Sequence, residues 1–139
     1  MIARDVVILG AGPAGLAAAA ELKRLGIRDT IVIDREAEAG GIPRHCGHTG
    51  FGLREFQRLM SGPRYARAIA DAASATETRL RVTALRLEAA GIVHTTGPFG
   101  PEPYRGRIVL LAMGARETPR SARLVSGTRP WGVMTTGAL

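Results

Sequence analysis

The sequence predicts an α/β fold in which a parallel sheet is built on a strand–helix–strand unit. A continuous apolar run with β-branched residues, residues 6–9, is typical of a strand buried on both faces. The alanine-rich residues 13–25 predict a helix that begins at a proline and stops before Gly26. The β-rich run Thr30–Ile33 completes the unit, and because a helix joins the two strands, they are expected to be parallel.

The rest of the chain predicts a loop, two helices and a small antiparallel meander inserted before a last buried strand. The glycine-rich residues 39–52 lack periodicity and predict a loop, a length that is usually functional in a compact domain. Residues 73–81 lack a clean apolar strand. The remaining predictions are helices at 53–60 and 65–75, separated by S-G-P, an alternating segment at 80–87, strands near 92–96 and 103–104 around G-P-F-G-P, a buried strand at 107–113, and an extended tail or start of a crossover at 115–139.

The turn after the first strand carries the glycine pattern G-A-G-P-A-G. Gly10 permits the tight turn, Gly12 lets the backbone approach a pyrophosphate, and Gly15 lets helix and strand pack closely. The helix amino terminus offers free N–H groups and a positive dipole end to an anion. Asp34, at the end of the second strand, is positioned to bind both hydroxyls of an adenosine ribose and to repel a 2′-phosphate. This context predicts a Rossmann-like dinucleotide-binding unit and does not choose between FAD and NAD.

The composition is that of one globular domain with an anion-favouring surface. The 139 residues are 45% hydrophobic and 22% charged, with a net charge of +7 that comes almost wholly from arginine. The arginines are scattered and have few aromatics between them, so no nucleic acid is expected as a partner. The single cysteine predicts no disulfide framework. No leader-like or membrane-spanning segment is recognisable, and a cytoplasmic location is expected.

The stretch H-C-G-H, residues 45–48, combines two histidines with the only cysteine. Zinc ligand pairs are usually separated by two or more residues, and no second pair occurs elsewhere, so no metal is expected. A redox disulfide needs a second cysteine, which this chain lacks. The remaining interpretations are a loop beside a cofactor, with Arg44 and His45 facing it, or a merely structural loop.

Longer motifs resemble a known group of flavoproteins. The step from Asp34 to the doublet Gly40-Gly41 resembles that of the two-dinucleotide-binding-domain flavoproteins, and L-L-A-M-G-A-R-E resembles their strand-end A-T-G motif, with Met113 in place of the usual threonine. G-G-I-P-R-H-C-G-H-T-G-F-G-L-R-E-F, G-P-R-Y-A-R, M-G-A-R-E-T-P-R and R-P-W-G-V-M-T-T-G-A-L resemble the FAD-binding α-type subunits of bacterial amine and imino-acid dehydrogenases. That group includes hydroxyproline and proline dehydrogenases, opine oxidases and the hydrogen cyanide synthase subunit.

The resemblance implies an FAD-dependent oxidoreductase whose small-molecule substrate is an amino acid, an imino acid or an amine oxidised at a CH–NH bond. It also implies a second flavoprotein subunit and an iron–sulfur component as partners. Residues 1–139 would correspond to the N-terminal part of the FAD-binding domain, because family members run several hundred residues. A non-catalytic dinucleotide-binding module, a truncated inactive fragment and an NAD-binding dehydrogenase half remain as alternatives.

The expected cofactor contacts come from the glycine turn, the acid that follows the second strand, the glycine doublet and the two strand-end motifs. The backbone near Val82 is expected beside the adenine, and Gly114 is expected to pass close to the cofactor. No catalytic residue is assigned, since a flavin carries the electron chemistry itself. The full set is Gly10, Ala11, Gly12, Pro13, Ala14, Gly15, Asp34, Arg35, Gly40, Gly41, Ile42, Arg44, His45, Val82, Ala112 and Gly114.

Overall fold

The structure is a computed structural model that describes residues 1–115, 118, 122, 124, 126–128 and 131. Its strands are β1 (Ile2–Leu9), β2 (Thr30–Ile33), β3 (Thr49–Phe51), β4 (Met60–Ser61), β5 (Glu77–Arg79), β6 (Thr83–Glu88), β7 (Ile92–Gly97) and β8 (Gly100–Leu111). Its helices are α1 (Pro13–Arg24), α2 (Leu53–Phe56) and α3 (Gly62–Ala72), with short 3-10 turns at Ile42–His45 and Ala89–Gly91.

Six strands form one mixed sheet in the order β5-β2-β1-β8-β7-β6. The first four run parallel, and β8, β7 and β6 form an antiparallel meander. β8 belongs to both parts, since its first half pairs with β7 and its second half with β1. β3 and β4 form a separate antiparallel pair. The predicted α/β fold with a parallel sheet and an inserted meander is confirmed.

The side chains of β1 and β2 alternate between two cores, one on each face of the sheet. Val6 and Ile8 pack with the buried residues of α1 and α3, whereas Val7 and Leu9 pack with Val93 and Tyr104 of the meander. All four of these β1 side chains are 0–4% exposed. Burying such a side chain contributes about 1.5–3 kcal/mol. The helices therefore pack on one face of β1 and β2 and the meander on the other, and this packing fixes the carboxyl ends of both strands.

Helix α1 begins and ends close to its predicted bounds. Pro13 occupies the first turn, and Lys23 and Arg24 lie in the last turn, where positive charge suits the helix dipole. Gly26 follows with φ +84°, a left-handed conformation that glycine adopts without strain. The helix buries Leu16 and Ala19 against the sheet. Proline and glycine signals located this element from the sequence.

Helix α3 begins earlier than the sequence predicted. Residues 61–63, S-G-P, were expected to separate two helices, but Ser61 is the residue that precedes α3, and Pro63 lies in its first turn. The helix ends at Ala72 rather than 75, and its buried side includes Tyr65, Ala66 and Ile69. The separator is therefore the start signal of the second helix.

The predicted helix at 53–60 is wrong beyond its first turn. α2 stops at Phe56 because Gln57 adopts a left-handed conformation with φ +51°. The chain then becomes β4, in which Met60 pairs with Phe51 and is 7% exposed. Tertiary packing of Met60 overrides the local helical preference here.

Three further expectations need correction in the connecting segments. The predicted loop at 39–52 contains the 3-10 turn and β3. Residues 73–81 do contain a strand, β5, which is short because it forms only three pairs with β2. Its sequence, E-T-R, is polar, and its burial pattern includes no buried residue, so hydrophobic patterning could not reveal it. The alternating segment at 80–87 begins as a strand only at Thr83.

The last strand is longer and less buried than the sequence predicted. The runs near 103–104 and 107–113 are one continuous strand, β8, which bends from the meander into the parallel sheet. Ile108 is 62% and Leu111 54% exposed, since β8 packs mainly on β1 and β7 and none of the described helices packs closely against it. The expectation of a fully buried strand is therefore wrong. The predicted tail at 115–139 lies mostly outside the described residues. Within the described part, no helix is long and apolar enough to cross a membrane.

Candidate dinucleotide site

Two of the three glycines in the first turn are required by the fold itself. Gly10 has φ +114°, and a Cβ placed on it would lie 2.3 Å from the carbonyl oxygen of Ala112. A Cβ on Gly15 would lie 1.9 Å from the carbonyl oxygen of Gly10. These contacts are too short for any side chain, so the turn between β1 and α1 closes only with glycine at both positions.

Gly12 differs, because its Cβ position faces open space. Among the described residues, the nearest atom to a Cβ on Gly12 is the Cα of Gly41, 3.9 Å away. The backbone at Gly12 is extended, with φ −81° and ψ −176°. The fold therefore has no steric need for a glycine at this position. Gly12 precedes α1, whose first turn has no side-chain cap and no acidic residue. A bare helix amino terminus beside an open backbone is suited to bind an anion.

The glycine doublet lies directly against this turn. Gly40 donates its N–H to the carbonyl oxygen of Ala11 over 2.7 Å and has φ +118°. Gly41 has φ +65°, and a Cβ on it would lie 2.8 Å from the Cα of Gly12. The structure thus brings together two glycine motifs that are far apart in sequence, as the predicted site required.

Helix α3 supports the doublet from behind, which the sequence reasoning missed. Gly62 donates its N–H to the carbonyl oxygen of Cys46 over 3.1 Å. A Cβ on Gly62 would lie 2.2 Å from the carbonyl oxygen of Pro43, and one on Gly40 would lie 2.7 Å from the Cβ of Ala66. The S-G-P signal at 61–63 could have indicated Gly62, but no sequence pattern indicates Ala66.

Asp34 is hydrogen bonded through its main chain and its carboxylate. Its Oδ2 accepts the N–H of Ala11 over 2.5 Å, and its Oδ1 accepts the N–H of Glu36 over 2.9 Å. Its own N–H donates to the carbonyl oxygen of Arg79, and its carbonyl oxygen accepts the N–H of Val82, both over 2.9 Å. The acid, the glycine turn and the segment predicted to face an adenine therefore meet at one point.

The two strand-end motifs also meet. Ala112 donates its N–H to the carbonyl oxygen of Leu9 over 2.8 Å, and its own carbonyl lies beneath Gly10. Gly114 follows with φ +71°, and no atom of the described residues lies within 4 Å of its Cβ position. Ala112 thus supports the glycine turn, whereas Gly114 lies in open space beyond it.

The charged residues predicted for the site are less directly engaged. Arg35 has a 77% exposed side chain and lies 3.5 Å from a carboxylate oxygen of Glu36. Arg44 folds back on Glu38, with 3.1 Å to its carbonyl oxygen and 3.3 Å to its carboxylate, and its stem covers Gly40. His45 is exposed. Arg44 therefore braces the loop that carries the glycine doublet.

An open cleft of about 410 Å³ begins at Pro13, immediately after Gly12. Its walls are mainly apolar and include Pro43, Phe51 and Tyr65. The rings of Phe51 and Tyr65 stack with centroids 5.7 Å apart. Burial, together with the negative charge of Glu55, raises the pKa of Tyr65, so the phenol stays neutral at ordinary pH. An apolar cleft next to an anion-binding turn is suited to a ligand that joins a ring system to a phosphate. Ile42 and Ala14, which follow Gly41 and Pro13 in the sequence, are exposed.

The H-C-G-H stretch forms no centre of its own. The Sγ of Cys46 lies 3.6 Å from the carbonyl oxygen of Ile42, and the ring of His48 lies 5.2 Å from that of Phe51. Among the described residues, no group of three or more histidine, cysteine or acidic side chains could hold a metal ion. These residues belong to the loop that carries the glycine doublet.

Comparison with known proteins assigns this chain to a family. The sequence matches the family described as an FAD binding domain over residues 3–90. It is 35% identical to the sarcosine oxidase subunit alpha of Corynebacterium sp. (strain P-1), in an alignment that covers 97% of this chain and 15% of that protein. The chain therefore spans less than a sixth of the length of this curated relative.

Two solved structures share the fold. L-proline dehydrogenase from P. horikoshii superposes with a TM-score of 0.71 at 23% identity, over 85% of this chain and 24% of that one. Thioredoxin reductase from T. acidophilum superposes with a TM-score of 0.68 at 25% identity, over 86% of this chain and 38% of that one. The first of these similarities supports the fold alone. The predicted FAD cofactor is confirmed by the family match, and the open turn at Gly12 fits a dinucleotide. The chain belongs to the FAD-binding domain family.

Proposed function

We propose that this chain is the FAD-holding part of an oxidoreductase that oxidises the CH–NH bond of an amine, an amino acid or an imino acid. The observation that carries this proposal is the open backbone around Gly12, where the fold itself has no need for a glycine. Gly10 and Gly15 are explained by packing, whereas the open position at Gly12 leaves room for a ligand to approach the backbone closely. The membership of the FAD-binding domain family supplies the identity of that ligand.

Different residues around the glycine turn would bind different parts of FAD. The first N–H groups of α1 would hold the pyrophosphate, and Asp34 has carboxylate lone pairs left for the ribose hydroxyls. The backbone near Val82 would border the adenine. The cleft beyond Pro13, with Phe51 and Tyr65 in its wall, would receive the flavin end. Bound FAD supplies an acceptor for two electrons from the substrate, while this chain binds and orients it.

The substrate class rests on the relatives. The curated relative is named for sarcosine, which is a secondary amine. A partner subunit or another acceptor would take up the electrons, and the curated relative is itself named as a subunit. A second flavoprotein subunit and an iron–sulfur component remain expectations that come from the family resemblance alone.

Cofactor binding is tested with two matched variants. We expect the purified chain to bind FAD, with Gly12→Val losing binding because its side chain fills the space over the turn, and with its fold retained. Cys46→Ser is the control and should bind FAD as the wild type does. Flavin absorbance, fluorescence titration and circular dichroism measure the two properties separately. Equal FAD affinity of Gly12→Val and wild type would contradict the proposed site, and loss of binding in Cys46→Ser would shift the site to the thiol.

The same preparation tests the substrate class. Under anaerobic conditions, sarcosine or L-proline should bleach the bound flavin, whereas a 2-hydroxy acid of similar size should not. Bound FAD that no amine reduces would contradict amine oxidation by this chain and favour a non-catalytic module. Binding of NAD with no affinity for flavin would contradict both the FAD site and amine oxidation, and would favour an NAD-binding dehydrogenase half.

A further inference from the structure

Asp34 forms hydrogen bonds with four residues, Ala11, Glu36, Arg79 and Val82, at the edge of the sheet where β1 and β2 end. Its carboxylate accepts the N–H of Ala11, in the glycine turn, and the N–H of Glu36, in the segment that follows β2. Its main chain bonds to Arg79, at the end of β5, and to Val82, just before β6. The side chain is only partly exposed, so solvent competes weakly for these bonds. A single residue therefore ties the turn to the surface on which an adenosine would lie.

The hydrogen bond to Ala11 connects Asp34 directly to the glycine turn. Ala11 is fully buried, and its carbonyl oxygen accepts the N–H of Gly40 from the glycine doublet. Ala11 is thus held from both sides, by Asp34 through its N–H and by Gly40 through its carbonyl oxygen. Hydrogen bonds to an ionised carboxylate are stronger than those between neutral groups. An amide in place of the carboxylate would offer this buried N–H only a neutral acceptor, which makes a weaker hydrogen bond.

We propose that Asp34 is a positioning residue that sets the glycine turn in its ligand-ready conformation before any nucleotide binds, in addition to contacting the ribose. This inference rests on the proposed FAD site and extends it from recognition to preorganisation. The consequence is that Asp34 contributes to the binding of the phosphates, which its own negative charge can only repel. Preorganisation raises affinity because the ordering of the turn is not left to the moment of binding.

Ribose recognition and positioning of the turn predict opposite changes in the affinity of Asp34→Asn for a ligand without ribose hydroxyls. Adenosine diphosphate carries ribose hydroxyls, and its 2′,3′-dideoxy analogue does not, so the analogue reports on the phosphates without the ribose contact. If Asp34 only recognised ribose, Asp34→Asn would leave affinity for the analogue unchanged or raise it, since a repelling charge is lost. With a positioning role, we expect the analogue to bind about three- to tenfold more weakly, from the loss of one charged hydrogen bond.

The ligand-free chain provides an independent measurement. In Asp34→Asn, the backbone amide of Ala11 should exchange with solvent at least about tenfold faster than in the wild type. The matched control is Asp29→Asn, which removes a charge from the opposite end of the same strand, where Asp29 accepts the N–H of Asp5 over 3.2 Å. This control should change neither the exchange of Ala11 nor the affinity for the analogue. Nuclear magnetic resonance resolves single amides in a protein of 14.7 kDa.

Each result decides for or against the proposal. Weaker analogue binding together with faster Ala11 exchange supports it, whereas unchanged or tighter analogue binding overturns it. If the wild type binds neither FAD nor adenosine diphosphate, the proposed function fails, but the exchange measurement still tests the positioning role. Should Asp34→Asn not fold, the wild type alone decides. Its Ala11 amide must be protected without ligand, and rapid exchange there would overturn the inference.

Discussion

Strands β1 and β8 lie side by side with nearly the same apolar run, V-V-I-L against I-V-L-L. They are paired in register, so that Val6 faces Ile108 and Leu9 faces Leu111. The side chains of this run in β1 are 0–4% exposed, whereas Ile108 is 62% and Leu111 54% exposed. Composition is therefore not what buries a strand. β1 is covered by helices on one face and by the meander on the other, whereas β8 is an outer strand of the parallel part.

The difference in burial between β1 and β8 is tested most directly by truncating a side chain at the paired position of each strand. Ile8→Ala should lower the free energy of unfolding by about 2–5 kcal/mol, because it leaves a cavity in a closed core. Leu110→Ala, at the paired position, should cost less than about 1 kcal/mol, since solvent already reaches 37% of that side chain. Urea unfolding followed by circular dichroism measures both. Equal losses would mean that the outer face of β8 is covered in solution.

A second, smaller effect on stability distinguishes Gly15, which has no room for a side chain, from Gly12, which has room for one. Gly15→Ala should destabilise the ligand-free chain by about 1–3 kcal/mol, because its Cβ meets the carbonyl oxygen of Gly10. Gly12→Ala should change stability by no more than about 1 kcal/mol, as its Cβ faces open space. Thermal unfolding of the two variants without FAD checks this. A larger loss in Gly12→Ala than in Gly15→Ala would contradict the division between structural and ligand-facing glycines.

The smallest effect concerns the meander side of the core and appears only at high pH. Burial, with a further contribution from the hydrogen bond to Glu102, raises the pKa of Tyr104 from 10.0 to about 12. The folded state thus favours the neutral phenol, so this contribution to stability is complete below pH 10 and is lost as the pH rises towards 12. Tyr104→Phe should flatten the pH dependence of unfolding in that window. A variant with the same pH dependence as the wild type would show that another group titrates there.

Local signals predicted the strand–helix–strand unit and most of the site. Proline at position 13 and glycine at 26 mark the bounds of α1, and the β-branched runs mark β1 and β2. Gly10, Gly12 and Gly15 could be assigned separate roles because each role depends on the backbone alone. The signals failed where pairing with a distant strand decides the conformation. β4 and β5 are strands only because β3 and β2 provide the partners.

The parts of the site that could not be predicted are those built by contacts between distant segments. The S-G-P signal marks Gly62, but no sequence pattern indicates that Ala66 of α3 packs against the glycine doublet. The sequence correctly located Arg44 in the loop, but its turn back towards Glu38 depends on how that loop is folded. The cleft beside Pro13 likewise requires Phe51 and Tyr65, which come from different elements.

The amino-acid sequence by itself determined the fold class, the dinucleotide turn and the acid that accompanies it, because these depend on short-range backbone geometry and on residue order. The tertiary structure decided which glycine is free to meet a ligand and which apolar strand is buried. It also brought the carboxylate of Asp34 to the N–H of Ala11. The physical reason is that steric exclusion, burial and hydrogen bonding across the sheet depend on neighbours that are remote in sequence.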